Sequence, residues 1–258
     1  MVAAMARRRY QDHMTDPQEI QEKPRRKDAP EVLALDRVVK RSGKKLILNG
    51  MNLRVRVGEV VTIIGGAAGP KAILTRVLNG QLGVDGGDLL RAGLPGPTLS
   101  APMGFGLGGT ILRGLEMRAA AYGVDLDNYV NAVAALIRNP EDLRKPISAL
   151  APTDRMTILY GSAFLLPCTH YTNNSGPLPA DKRAKVALRP LFREARQRAA
   201  FICLNKRMTV KETFPNQRFL RLHAGQLHTL EEFDAMMEQE QQQKGRKSGS
   251  KAEPAEAT

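Results

Sequence analysis

Apolar positions recur along this chain with two periods. Val60-Val61-Thr62-Ile63-Ile64 is a continuous apolar run that ends in glycines, the pattern of a parallel strand covered on both faces. Residues 32–35 predict a strand ahead of it. Leu46-Ile47-Leu48 and Leu53, Val55 and Val57 alternate as half-buried strands, and Ala200-Phe201-Ile202-Cys203-Leu204 reads as a second buried strand. Phe219-Leu220-Arg221-Leu222, a turn at Gly225 and Gln226-Leu227-His228 predict a closing hairpin. Helical spacing covers 73–78, 112–122 and 129–137. A further helix carries Met156, Ile158 and Leu159, with Thr153 or Asp154 as its cap, and a long basic helix covers 180–199. Strands alternating with helices predict an α/β layered fold.

The two ends differ from this middle. Residues 1–30 are polar, charged and interrupted by Pro17, Pro24 and Pro30, which predicts a disordered arm. Residues 238–258 are low in complexity and predict a frayed helix end followed by a disordered tail. The globular part is therefore expected over 31–237, with no internal repeat.

Charge and composition narrow the partners. The chain has 258 residues, 42% of them hydrophobic, and a formal net charge of +13. Such a balance favours nucleic acid, an anionic membrane face or an acidic partner. No apolar stretch is long enough to span a bilayer, and the N-terminus lacks the apolar middle of a secretory signal. Cys168 and Cys203 are the only cysteines, which suits a reducing, cytoplasmic compartment and fits no zinc pattern. His13, His170, His223 and His228 are scattered, and no metal site is expected from them. Cys168 beside Thr169-His170 could pair a nucleophile with a base, but an inert buried thiol is the expectation.

The apolar run at 60–64 leads into Gly65-Gly66-Ala67-Ala68-Gly69-Pro70-Lys71-Ala72-Ile73. A strand, a small-residue turn, a lysine and a helix make the layout of a phosphate-binding loop, G-x-x-x-x-G-K-[ST]. Gly65 and Lys71 are in register with it. The glycine before the lysine is Pro70, and the metal-binding hydroxyl is replaced by Ala72. Pro70 removes one N–H donor, and Ala72 has no oxygen for Mg²⁺. The residues alone fit two readings: a phosphate loop that has lost its chemistry, or an ordinary strand–turn–helix with a proline in the first turn and a solvated Lys71.

The order of segments resembles the ATP-binding subunit of an ABC transporter, nearest to the polysaccharide-export (capsule-type) branch. The resemblance covers about 31–237. It is carried by Leu48-Asn49-Gly50-Met51-Asn52-Leu53 with Gly58-Glu59, by Leu78-Asn79-Gly80 with Asp85-Gly86-Gly87, and by Gly104-Phe105-Gly106. Leu112-Arg113-Gly114-Leu115-Glu116, Tyr122-Gly123-Val124-Asp125 and Lys145-Pro146-Ile147 with Arg155 follow in the family's order, before the closing strands at 199–204 and the 222–226 turn. It implies a P-loop NTPase-like ABC nucleotide-binding domain with a helical subdomain at about 105–160 and an antiparallel β region.

The resemblance assigns the nucleotide to Gly65, Gly66, Ala67, Ala68, Gly69, Lys71, Ala72 and Ile73. It puts Arg41 near the adenine-stacking aromatic, and Ala149-Leu150-Ala151-Pro152-Thr153 at the signature loop. Thr172 and Asn173 fall at the Mg²⁺-linked Asp and the catalytic Glu, Pro179 at the Asp of the next loop, and Lys206 at the switch His. Only Lys71 keeps the family's identity. Phosphoryl transfer to water relies on a bound metal and an oriented water, so these exchanges argue against hydrolysis. The implied protein is a degenerate, accessory or regulatory subunit that binds ATP weakly or not at all, without Mg²⁺. It would sit in the cytoplasm or at the inner face of the membrane, with a membrane permease or an ABC ATPase as partner.

Two alternatives stay open. One is a working export ATPase that draws on an unusual acid such as Asp154 or Asp181. The other is a basic adaptor that binds nucleic acid or an anionic surface through the helix holding Lys182, Arg183, Lys185, Arg189, Arg193, Arg196 and Arg198.

Overall fold

The computed structural model describes residues 29–66, 68–99, 101, 104–106, 109–205, 214 and 217–249, with side chains in the last helix as far as Gln241. The disordered arm expected at 1–30 lies almost wholly outside the described residues. Eight strands are described: β1 (Glu31–Ser42), β2 (Lys45–Arg56), β3 (Val60–Gly65), β4 (Gly86–Arg91), β5 (His170–Asn173), β6 (Ala200–Asn205), β7 (Gln217–His223) and β8 (Gln226–Thr229). The helices are α1 (Ala68–Leu78), α2 (Ile111–Tyr122), α3 (Leu126–Ala134), α4 (Pro152–Phe164), α5 (Lys182–Arg196) and α6 (Leu230–Gly249).

The strands form two sheets. A five-stranded sheet has the order β5-β6-β3-β7-β8, and a three-stranded antiparallel sheet has the order β2-β1-β4. β3 pairs in parallel with both β6 and β7, and β5 pairs in parallel with β6. Only β8 runs against its neighbour, across the turn at 224–225. Val60, Val61, Ile63 and Ile64 are fully buried, as a continuous apolar strand requires.

Side chains of β6 alternate between two cores. Phe201 and Cys203 point into the cluster that holds Phe164, Leu188 and Phe192 from α4 and α5. Ala200, Ile202 and Leu204 point into the cluster that holds Leu74, Val77 and Leu78 of α1 and the inner face of β1 and β2. The period of two thus assigns each residue to a layer. On the first face, Phe164 meets Tyr160, Tyr171, Phe192 and Phe201 with ring centroids 5.8–6.0 Å apart, mostly edge to face. Gly161 lets α4 come close: a Cβ there would stand 2.4 Å from Leu136 Cδ1 and 3.2 Å from Leu188 Cδ2.

Several boundaries differ from the sequence reading. The two short strands expected at 46–48 and 53–57 are one strand, β2, bent by register shifts against β1. Gly50 (φ 63°) sits inside it and Met51 next to it is fully buried, which breaks the alternation. The expected cap at Thr153 or Asp154 is displaced. Helix α4 begins at Pro152 with Ala151 as its N-cap and no side-chain cap. Pro needs no N–H partner at N1, so the helix starts without the hydroxyl. Asp181 caps α5 instead, accepting from Ala184 N at 2.8 Å. The third helix occupies 126–134 rather than 129–137, with Asp125 as its cap. At the C-terminal end, α6 runs to Gly249, so helical backbone covers the first part of the low-complexity segment.

Phe164 is the hub of the larger core. Phe164→Ala is expected to lower stability by about 3–5 kcal/mol, seen as an earlier urea midpoint with an unchanged m-value.

Candidate functional site

Parallel strands with helices between them gather their variable chemistry at the C-terminal edge of the sheet. Here that edge is the end of β3, its turn into α1, and the ends of β6 and β7. Two glycines make the turn possible. Gly65 (φ 83°) and Gly66 (φ 69°) adopt the left-handed region, and β7 presses against both. A Cβ on Gly65 would lie 3.1 Å from Arg221 Nε and 3.3 Å from Leu222 O; one on Gly66 would lie 2.9 Å from Leu222 Cδ2. Ala68, Gly69 and Pro70 form the first turn of α1, where N–H groups have no partner within the helix. Pro70 therefore costs the helix nothing, but it takes away one amide that could face an anion. Ala67 lies outside the described residues. Ala72 is exposed and Ile73 half-buried.

Lys71 is not a solvated side chain. It is only 9% exposed, and its ammonium donates to the carbonyl of Asn205, the last residue of β6, at 3.3 Å. The lysine is thus folded back across the strand ends that border the turn, the place where a phosphate charge would be met. A cleft of about 320 Å³ opens on the far side of the turn. Among its described lining residues, Lys45, Arg221 and His223 supply the polar, basic groups and Pro70 and Phe233 the apolar walls, with no carboxylate among them. The Arg221 guanidinium lies 4.7 Å above the Phe233 ring, and the His223 imidazole meets the same ring edge-on at 5.5 Å. Arg41, near the adenine-platform position, is exposed on β1, and its backbone N–H donates to Asp85 Oδ2 at 2.6 Å.

Thr172 and Asn173 are not at this edge. Asn173 pairs with Cys203, which stands level with Thr62, three residues before Gly65. That is about 10 Å short of the turn along the strand. Both side chains are buried and committed. Thr172 Oγ1 exchanges hydrogen bonds with the Asn79 amide at 2.9 and 3.1 Å, at the end of α1 opposite the turn. Asn173 Nδ2 reaches Tyr160 Oη at 2.8 Å, Ser175 Oγ at 2.9 Å and the Gly176 carbonyl at 2.6 Å. The chain passes the level of Asn205 only after β5 has ended, at Asn174 and Ser175. Neither is ionisable, so the shift of two residues still brings no carboxylate to the lysine. Pairing register was the missing signal, and spacing within one strand does not carry it.

The remaining positions are equally short of metal ligands. Asp181 caps α5 and accepts from Thr153 Oγ1 at 3.2 Å; the backbone hydrogen bond from Ala184 leads in holding its carboxyl below the usual range. Pro179 is buried. Residues 149–153 place Ala151 and Pro152 at a helix start without a side-chain cap. Lys206 lies outside the described residues. Among the described residues no group of three or more His, Cys, Asp or Glu side chains could hold a metal ion. The donor set at the turn consists of backbone amides and cations, which fits an anion and does not fit Mg²⁺.

The cysteines face the core. Burial pushes the Cys168 and Cys203 thiols up to about 12. His170, also buried, sets Nε2 3.1 Å from the Leu78 carbonyl, and burial holds its pKa below the usual value. A thiolate–imidazole pair is therefore not formed at neutral pH.

No protein-family model matches the chain. The aliphatic sulfonates import ATP-binding protein SsuB of Ralstonia nicotianae is 39% identical over 64 residues, and SsuB 3 of Rhodococcus jostii is 38% identical over 66. These stretches cover 25% and 26% of this chain and only 22% and 25% of the relatives. Solved structures agree over far more of the molecule. An ATP-binding subunit of an ABC transporter matches with a TM-score of 0.63 at 19% identity, over 80% of this chain and 93% of that one. CbiO1 from Clostridium perfringens, part of the ABC transporter complex cbiONQ, matches with a TM-score of 0.60 at 14% identity, over 77% and 87%. The chain has the fold of ABC ATP-binding domains, with an α/β core, an antiparallel sheet and a helical region at 111–164.

The buried acids give a pH test. Thiols ionise near pH 9.0 and a tyrosine near 10.0 in the unfolded chain, whereas Cys168, Cys203 and Tyr122 hold their protons to about 12 when folded. The folded state binds more protons in that window, so stability is complete below about pH 9 and falls as pH rises toward 12. Urea midpoints at about pH 8 and about pH 10.5 are expected to differ, the second being lower.

Proposed function

We propose that this chain is an ATP-binding-type subunit of an ABC transporter that no longer hydrolyses ATP. It serves its assembly as an accessory or regulatory subunit. The observation that carries the reading is Lys71: the turn and its lysine are kept at the sheet edge, while the hydroxyl position carries Ala72 and the chain beyond β5 brings Asn174 and Ser175, not carboxylates, to the level of Asn205. Backbone amides of the α1 first turn, Lys71 and the basic cleft beside Arg221 and His223 give a weak site for a nucleotide without Mg²⁺. Water gains no general base there, and a γ-phosphate gains no metal.

The partner that goes with this reading is a membrane permease, with a homo- or heterodimer of ATP-binding subunits beside it. CbiO1 is part of such a transporter complex. A groove of about 250 Å³ between Thr98, Met117 and Tyr122 offers an apolar seat for a permease segment, with Met117 54% exposed at its rim. Among the described residues no helix is long and apolar enough to cross a membrane. The polysaccharide-export branch is proposed from the pattern at 104–106, 112–116 and 122–125. The relatives named for sulfonate import overlap about a quarter of the chain.

Nucleotide titration and a phosphate-release assay on the whole chain test the reading. ATP is expected to bind weakly, with the same affinity in Mg²⁺ and in EDTA, and to remain intact. Lys71→Ala is expected to weaken binding about 10- to 100-fold, the size of one charged hydrogen bond. Mg²⁺-dependent turnover abolished by Lys71→Ala would overturn it.

A further inference from the structure

Two helices at opposite edges of the five-stranded sheet carry opposite charge. On α5, Lys182, Lys185, Arg189 and Arg193 follow one another at i, i+3, i+7 and i+11 and so share one face. Lys182, Arg189 and Arg193 are exposed, Lys185 is half-buried, and Val186 beside them is 61% exposed. Glu194 is the one acid inside this helix. The opposite face is spent on the core, where Ala184, Leu188 and Phe192 are buried. Lys185 and Arg189 also keep contacts within their own chain.

On α6, Glu231, Asp234 and Glu238 follow at i, i+3 and i+7, all exposed, with Glu232 beside them. From 230 to 241 there is no lysine or arginine. Leu230, Phe233, Met236 and Met237 are the half-buried residues of this stretch. A stripe of acid therefore repeats with the spacing of the basic stripe on α5.

The stripes cannot meet within one chain. Helix α5 packs on α4 over the β5–β6 side of the sheet, and α6 packs on β7 and β8 at the other edge. Four strand spacings separate the edges, about 19 Å. We propose that they meet between two copies, the basic face of α5 in one chain lying against the acidic face of α6 in the next. The contact is heterologous, head to tail, and is independent of the Lys71 turn. Matched charge on exposed faces makes it a weak contact that steers encounter and is screened by salt.

Sedimentation velocity on the whole chain tests this. Association is expected at about 0.01 M salt, where charges act over ~30 Å, and is lost at about 1 M, where they act over ~3 Å. Reversing the α5 stripe (Lys185→Glu, Arg189→Glu, Arg193→Glu) removes self-association. Reversing the α6 stripe (Glu231→Lys, Asp234→Lys, Glu238→Lys) does the same. An equimolar mixture of the two variants associates again, and so does a chain carrying both reversals. Circular dichroism confirms that each variant is folded, and the salt titration of the unaltered chain needs no variant at all. The proposal is overturned if the unaltered chain stays monomeric at low salt. It is equally overturned if either reversal leaves association intact, if the mixture fails to restore it, or if only added RNA or anionic vesicles engage the α5 stripe.

Discussion

β3 is hydrogen-bonded on both sides in the same direction and covered on both faces. Every other placement depends on that strand. Because β6 and β7 run parallel to it, their ends come to one edge together with the turn at Gly65 and Gly66. Because no face of β3 meets water, only apolar residues and Thr62 occupy it, and Thr62 is hydrogen-bonded by Gln217 at 2.9 Å. The left-handed backbone at 65 and 66, with β7 packed close beside it, then favours glycine at both positions, whatever the turn binds. The glycines at 65 and 66 are thus accounted for by backbone conformation and packing, and need no ligand to explain them.

The same geometry separates charge from chemistry at the edge. Lys71 is tied to a backbone carbonyl, Arg221 is laid on Phe233, and Asp181 is spent as the cap of α5. Glu59, at the opposite end of β3, pairs with Arg218 at 2.9 Å. The result is an edge with cationic and amide donors and with its described carboxylates engaged elsewhere. Among the described residues such an edge offers donors to an anion.

The fold was largely legible in the sequence because its strongest signals are periodic. The runs at 60–64 and 200–204 and the 219–228 hairpin announced the sheet, and the helices at 111–122 and 182–196 followed from spacing. What escaped depended on partners far along the chain. β4 is a polar strand, Gly86 to Arg91, that exists only because β1 pairs with it. The level of Asn173 in the sheet is set by Cys203, thirty residues later, so no local pattern could place it. The burial of Lys71 was invisible for a like reason, since Asn205 lies 134 positions away.

The separation of α5 from α6 has a consequence for how the molecule moves. With acids exposed at 231–238 of α6 on one edge and the basic stripe of α5 on the other, the described part of the molecule carries a charge gradient across its width. In the field of another charged body such a gradient experiences a torque before any contact, so first collisions sample a fraction of the possible poses.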